Sequence, residues 1–129
     1  NVTDISVMFC LAENFNQPLD KWNTSKVIET YQIFCQADNF NQDISNWNVS
    51  NITDMDGIFF AAKSFNQNIS SWNFDNIISC DYMFYNAKAF CAKHPELEAY
   101  FICSGENGEY EIFFTEGMKK YIVHANNLK

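Results

Sequence analysis

A 25-residue unit recurs along this chain in one unbroken register, and the register limits the chain to folds in which like residues meet like residues. Phe15, Phe40, Phe65 and Phe90 mark it, the first three each followed by Asn-Gln. Other columns keep the same step: Phe9, Phe34, Phe59 and Phe84; Ala12, Ala37, Ala62 and Ala87; Trp22, Trp47 and Trp72; Val2, Val27, Ile52 and Ile77. A repeat this short cannot bury its apolar residues alone, so neighbouring units must stack to make a continuous core.

Two spacings divide each unit. In residues 40–64 the apolar positions are Ile44, Trp47, Val49 and Ile52, then Met55, Ile58, Phe59 and Ala62. The alternation at Trp47 and Val49 predicts a short strand, with Asn46, Asn48 and Ser50 facing outward. The three-and-four spacing of the second group predicts a helix beginning near Thr53, with Asp56 completing a capping box. The expected fold class is therefore α/β, a leucine-rich-repeat-like solenoid of 25-residue strand-turn-helix coils. The structural ladders expected within it are Trp22, Trp47 and Trp72, then Phe15, Phe40, Phe65 and Phe90, then the amides Asn16, Asn41 and Asn66 at the bends.

The register decays after Phe90, where His94 and Pro95 replace the expected aliphatic and its neighbour. Three apolar bursts follow, at 100–103, 110–114 and 121–124, separated by Gly-bearing turns. They predict a small C-terminal antiparallel β cap, which divides the chain into a repeat region at 1–94, about three and a half coils starting mid-repeat, and a cap at 95–129. Asn1 to Asn14 align with the second half of a repeat, so the sequence reads as a piece of something longer.

A net charge of −8 disfavours a phosphate-tracking surface and thus a nucleic-acid partner. No run is long and apolar enough for a transmembrane segment in this fragment. Cys10 and Cys35 share a column with Phe60 and Tyr85, and Cys80 one with Ile5 and Met55, which reads as core filling by free thiols; Cys91 and Cys103 lie in the divergent end. The odd total of five cysteines leaves an intracellular reducing site open.

Neither His94 nor His124 stands at metal-ligand spacing, and Cys91 beside His94 lacks an orienting group. Asp54 and Asp56 read as charges favoured at a helix N-terminus. No catalytic residue, metal or cofactor is expected, and the chain reads as non-enzymatic. Sequons at Asn1, Asn23, Asn48, Asn51 and Asn68 are explained by the repeat itself.

The string VSNITDMDGIFFAAKSFNQNISSW and its relatives at Val2 to Trp22 and Val27 to Trp47 resemble the BspA-like leucine-rich-repeat class over residues 1–90, in its 25-residue form from mycoplasma and other bacterial surface lipoproteins, protists and large DNA viruses. The resemblance implies a scaffold for protein or glycan recognition and adhesion at a cell or virion surface. The residues expected to carry binding are the outward strand positions Lys21, Asn23, Asn46, Asn48, Ser71 and Asn73. The alternative expectation is a structural assembly subunit of a surface layer or virion, meeting neighbouring subunits.

Overall fold

The structure, a computed structural model, describes residues 2–69 and 71–93. It contains one helix, α1 (Lys88–Lys93), and three isolated parallel bridges that run Asp4 to Glu29 to Asp54 to Ser79. Among the described residues there is no sheet. This corrects the α/β expectation: the chain does not show a leucine-rich-repeat-like solenoid of strand-turn-helix coils, and the antiparallel cap expected at 95–129 lies outside the described residues. Turns replace both regular elements.

The helix expected in each repeat fails for a reason visible in its hydrogen bonds. The amides of Ile5, Val7, Phe9 and Leu11 donate to the carbonyls of Glu29, Tyr31, Ile33 and Cys35 in the next repeat, at 2.8–3.1 Å. Those of Met8, Cys10 and Ala12 donate instead three residues back, to Ile5, Val7 and Phe9. Alternate amides thus serve the neighbouring repeat and a local turn, whereas a helix would keep every one inside its own segment. Thr30, Gln32, Phe34 and Gln36 repeat the outward set, and so do Met55, Gly57, Phe59 and Ala61.

This backbone path needs a left-handed residue at two fixed positions of each repeat. Val7, Gln32, Gly57 and Tyr82 have φ of 53, 52, 60 and 59°; Leu11, Gln36, Ala61 and Asn86 have φ of 66, 55, 55 and 60°. Each is the third residue of a four-residue turn wherever that turn closes, as at Ile5–Met8, Met55–Ile58 and Phe59–Ala62, which is where a type II turn requires positive φ. Only Gly57 adopts it without a Cβ clash, so the other seven hold it against a local preference of roughly 1 kcal/mol or more each.

The strand expected around Trp47 and Val49 is absent because no backbone ladder forms there. Both side chains do point inward, being 4% and 2% exposed. The repeats are tied in this half by side chains: Trp47 Nε1 donates to Leu19 O and Trp72 Nε1 to Ile44 O, both at 3.0 Å, and Thr24 Oγ1 donates to Asn48 O at 3.1 Å. The alternation that suggested a strand comes from a turn at Ile44–Trp47 followed by an Asx turn at Asn48.

The core is a double file of phenylalanines. Within each repeat two rings stack at 3.9–4.2 Å, as Phe9 on Phe15, Phe34 on Phe40, Phe59 on Phe65 and Phe84 on Phe90. Between repeats the same columns stack at 5.6–6.1 Å. Helix α1 closes the last described repeat while keeping Phe90 in its file, buried and 6.1 Å from Phe65.

The bridge column gathers acid. Burial pushes the Asp54 carboxyl above its usual range; the hydrogen bond from Asp56 N–H works against this, and the charges of Asp56, Glu29 and Asp4 add to it. Asp56 Oδ1 in turn accepts from Ser79 Oγ and, at 2.7 Å, from Asp81 N–H. A folded-state pKa above the unfolded one means that the charged form costs stability, a cost that disappears as pH falls through the folded pKa.

Two predictions follow from this backbone and its acid column. Gly57→Ala places a Cβ 3.0 Å from Gln32 Cγ at φ +60° and is expected to cost about 1–2 kcal/mol, while Val7→Gly, at a half-exposed site, gains up to about 1 kcal/mol; urea unfolding measures both. Asp54→Asn keeps the oxygen that receives the Asp56 amide and is expected to raise the urea midpoint at neutral pH, the advantage vanishing near about pH 3, where the native carboxyl is protonated in both states.

Candidate recognition face

The outward residues named from the sequence occupy two columns on one face, Lys21, Asn46 and Ser71 in the first and Asn23, Asn48 and Asn73 in the second, and all six are exposed. Each pair flanks the tryptophan whose amide closes a turn, Trp22 N to Leu19 O, Trp47 N to Ile44 O and Trp72 N to Ile69 O, at 3.0–3.1 Å, the first residue lying inside the turn and the second just after it. Ring burial beneath the turn fixes its orientation, so residues on either side of the tryptophan must face away from the core.

Most of these side chains also work for the fold. Asn23 Oδ1 accepts from Ser25 N–H at 3.1 Å and from Ser25 Oγ at 2.7 Å, and Asn48 Oδ1 accepts the same pair from Ser50 at the same distances. Asn73 Oδ1 accepts from Asp75 N–H at 2.8 Å. Asn46 Nδ2 donates to Asp20 O at 2.7 Å and Ser71 Oγ to Ser45 O at 3.1 Å, each crossing to the preceding repeat. The oxygens of the second column are therefore spent on Asx turns, which turns their Nδ2 groups outward as three donors, one per repeat, held in fixed orientation.

The amides at the bend tie neighbouring repeats together. Asn16 Oδ1 accepts from Asn41 N–H at 2.8 Å and Asn41 Oδ1 from Asn66 N–H at 2.9 Å, while Gln42 and Gln67 each donate to the asparagine of the preceding repeat. Among the described residues Asn66 Oδ1 has no partner. The residue that would donate to it is Cys91, whose amide has turned into α1 and donates to Ala87 O at 2.9 Å. Cys91 is disulfide-bonded and its sulfur lies 3.3 Å from Phe84 O, a contact without a proton since a bridged sulfur carries none.

A second surface lies at the truncated first coil, which the assembly expectation names, together with the aromatic cap, as a joint to neighbouring subunits. At the first repeat Val2, Met8 and Trp22 are 60%, 49% and 38% exposed, where their counterparts Val27, Ile33 and Trp47 are 2%, 0% and 4%. Val2, Ile5, Met8, Trp22 and Val27 line an apolar cavity of about 330 Å³ there, with Asn23 and Thr24 at its edge. This is the surface that every later repeat covers with its predecessor. Among the described residues no three His, Cys, Asp or Glu come together to hold a metal, and no helix is long and apolar enough to cross a membrane.

No curated protein and no solved structure matches the chain. Residues 1–97, the repeat region and the few residues after it, match the model of a family described as a Mycoplasma protein of unknown function, DUF285. The register of Phe, Asn-Gln and Trp columns that stacks the turns lies within that match, and the chain belongs to this family.

Proposed function

We propose that the chain is a non-enzymatic scaffold that recognises a protein or a glycan through the face bearing Lys21, Asn23, Asn46, Asn48, Ser71 and Asn73. The observation that supports this is the row of Asn23, Asn48 and Asn73 amide donors. Their Oδ1 atoms are locked in Asx turns, so a ligand offering acceptors, such as backbone carbonyls or sugar hydroxyls, meets donors that lose little freedom on binding. The finer resemblance to the BspA-like class puts such a scaffold at a cell or virion surface, in adhesion.

Replacing Asn48 and Asn73 together by Asp tests the reading, because Asp keeps the turn-forming oxygen and removes the donor. Binding to a panel of immobilised glycans and purified surface proteins is expected to fall at least tenfold for any member that binds the native chain, with the urea midpoint unchanged. Equal binding by the variant discards this face.

A second reading, a structural subunit of a surface layer or virion, draws on the apolar face of the first described repeat. Its apolar cavity and the exposed Trp22, Met8 and Val2 form an end that a neighbouring subunit would cover. Sedimentation is expected to show concentration-dependent association that Met8→Lys abolishes; a native chain that stays monomeric at every concentration removes this reading.

A further inference from the structure

Cys10 and Cys35 occupy the same column of adjacent repeats, and both are free. The backbone pairing around them is in register: Phe9 N–H donates to Ile33 O at 2.9 Å and Leu11 N–H to Cys35 O at 2.8 Å. One and two repeats further on, this column holds Phe60 and Tyr85, whose rings stack at 5.1 Å and 18°, so the column directs neighbouring side chains at each other. Paired runs of this kind lie about 4.8 Å apart, inside the Cα separation of about 4.4–6.8 Å that a disulfide spans. The Cys10 thiol is near enough to bear on the Cys35 thiol. Their exposure differs, Cys10 being half-buried and Cys35 buried at 7%.

We infer that Cys10 and Cys35 form an oxidation site, a thiol pair that takes a small-molecule disulfide as oxidant and closes into a bridge between the first two described repeats. Cys10, the more open of the two, loses its proton and its thiolate attacks one sulfur of the small disulfide, expelling one small thiolate. Cys35 then loses its proton and attacks Cys10 Sγ, expelling the second. Two protein thiols are oxidised, one small disulfide is reduced to two thiols, and the two protons leave with them. In the reduced pair, burial and the neighbouring Cys10 push the Cys35 thiol up to about 12; burial persists once Cys10 is a mixed disulfide, which makes the second attack the slow one, quickening as pH rises.

Cys80 serves as an internal control. Its thiol is not part of a disulfide and is 1% exposed, and it lies in the column of Ile5 and Met55, a different column from the pair. The bridge encloses the whole of one repeat, so it secures the first described repeat, whose outer side is uncovered, to the second.

The test is incubation of the full chain with oxidised glutathione at rising pH, followed by alkylation and digestion without reductant. The expected product is a cross-linked peptide pair containing Cys10 and Cys35, with Cys80 still alkylated and dithiothreitol restoring both thiols. Closure is expected to accelerate with pH, the Cys80→Ala variant is expected to form the same bridge, and the Cys10→Ser variant is expected to leave Cys35 as a thiol. The oxidised chain is expected to melt higher than the reduced one. A glutathione adduct that persists on Cys10 beside a free Cys35, a bridge that includes Cys80, or no reaction of Cys10 at any pH overturns the inference.

Discussion

Face-to-face contact between phenylalanines one repeat apart is the constraint on which the remainder of the structure depends. Eight rings form two files, 3.9–4.2 Å apart within a repeat and 5.6–6.1 Å between repeats. A ring file with that spacing holds only if every repeat sits in the same register as its neighbour, since a slip of one residue would replace the Phe15 ring by Asn14 or Asn16. Register, once fixed by the rings, places each outward amide opposite the carbonyl it needs. The backbone then accepts positive φ at non-glycine residues, because relaxing one of them would withdraw an amide from the next repeat and leave its partner carbonyl unpaired.

The period, and which side chains go inside, could be read from the sequence, because burial depends on the column and the column depends only on spacing. Trp47, Val49, Ile44, Phe40, Phe59 and Ala62 are all buried. The regular elements could not be read in the same way. Met55, Ile58, Phe59 and Ala62 have helical spacing, but consecutive turns bring the same positions to one side, and the deciding feature is the left-handed residue at two sites per repeat. Glycine would have announced it, yet it stands at only one of the eight, with Val, Gln, Tyr, Leu, Ala and Asn at the others. Thr53 and Asp56 looked like a capping box for a similar reason: the oxygen that caps is that of Asp54, which receives the Asp56 amide at 2.8 Å and closes a turn where a helix would otherwise start.

The candidate face was found by alternation, and its six residues are exposed although the strand is absent. Asn23, Asn48 and Asn73 do face outward, although the cause is an Asx turn set above a buried tryptophan and the pleat plays no part. That difference changes the chemistry offered to a partner. On a strand both ends of the amide would be free to rotate; here the oxygen is committed and only the nitrogen is presented, so the face offers donors at one-repeat intervals.

Stability in such a stack is a sum over neighbouring pairs, and a ring without a described repeat against it stays open to solvent. The exposure of one tryptophan column measures what that costs: Trp22 is 38% exposed while Trp47 and Trp72, each with a repeat on its far side, are 4%. The same asymmetry runs through Val2 and Met8 against Val27 and Ile33. Cys10 and Cys35 lie across the contact between the first and second described repeats, so a covalent link between them adds a second hold, beside the ring files, on one pair of neighbours.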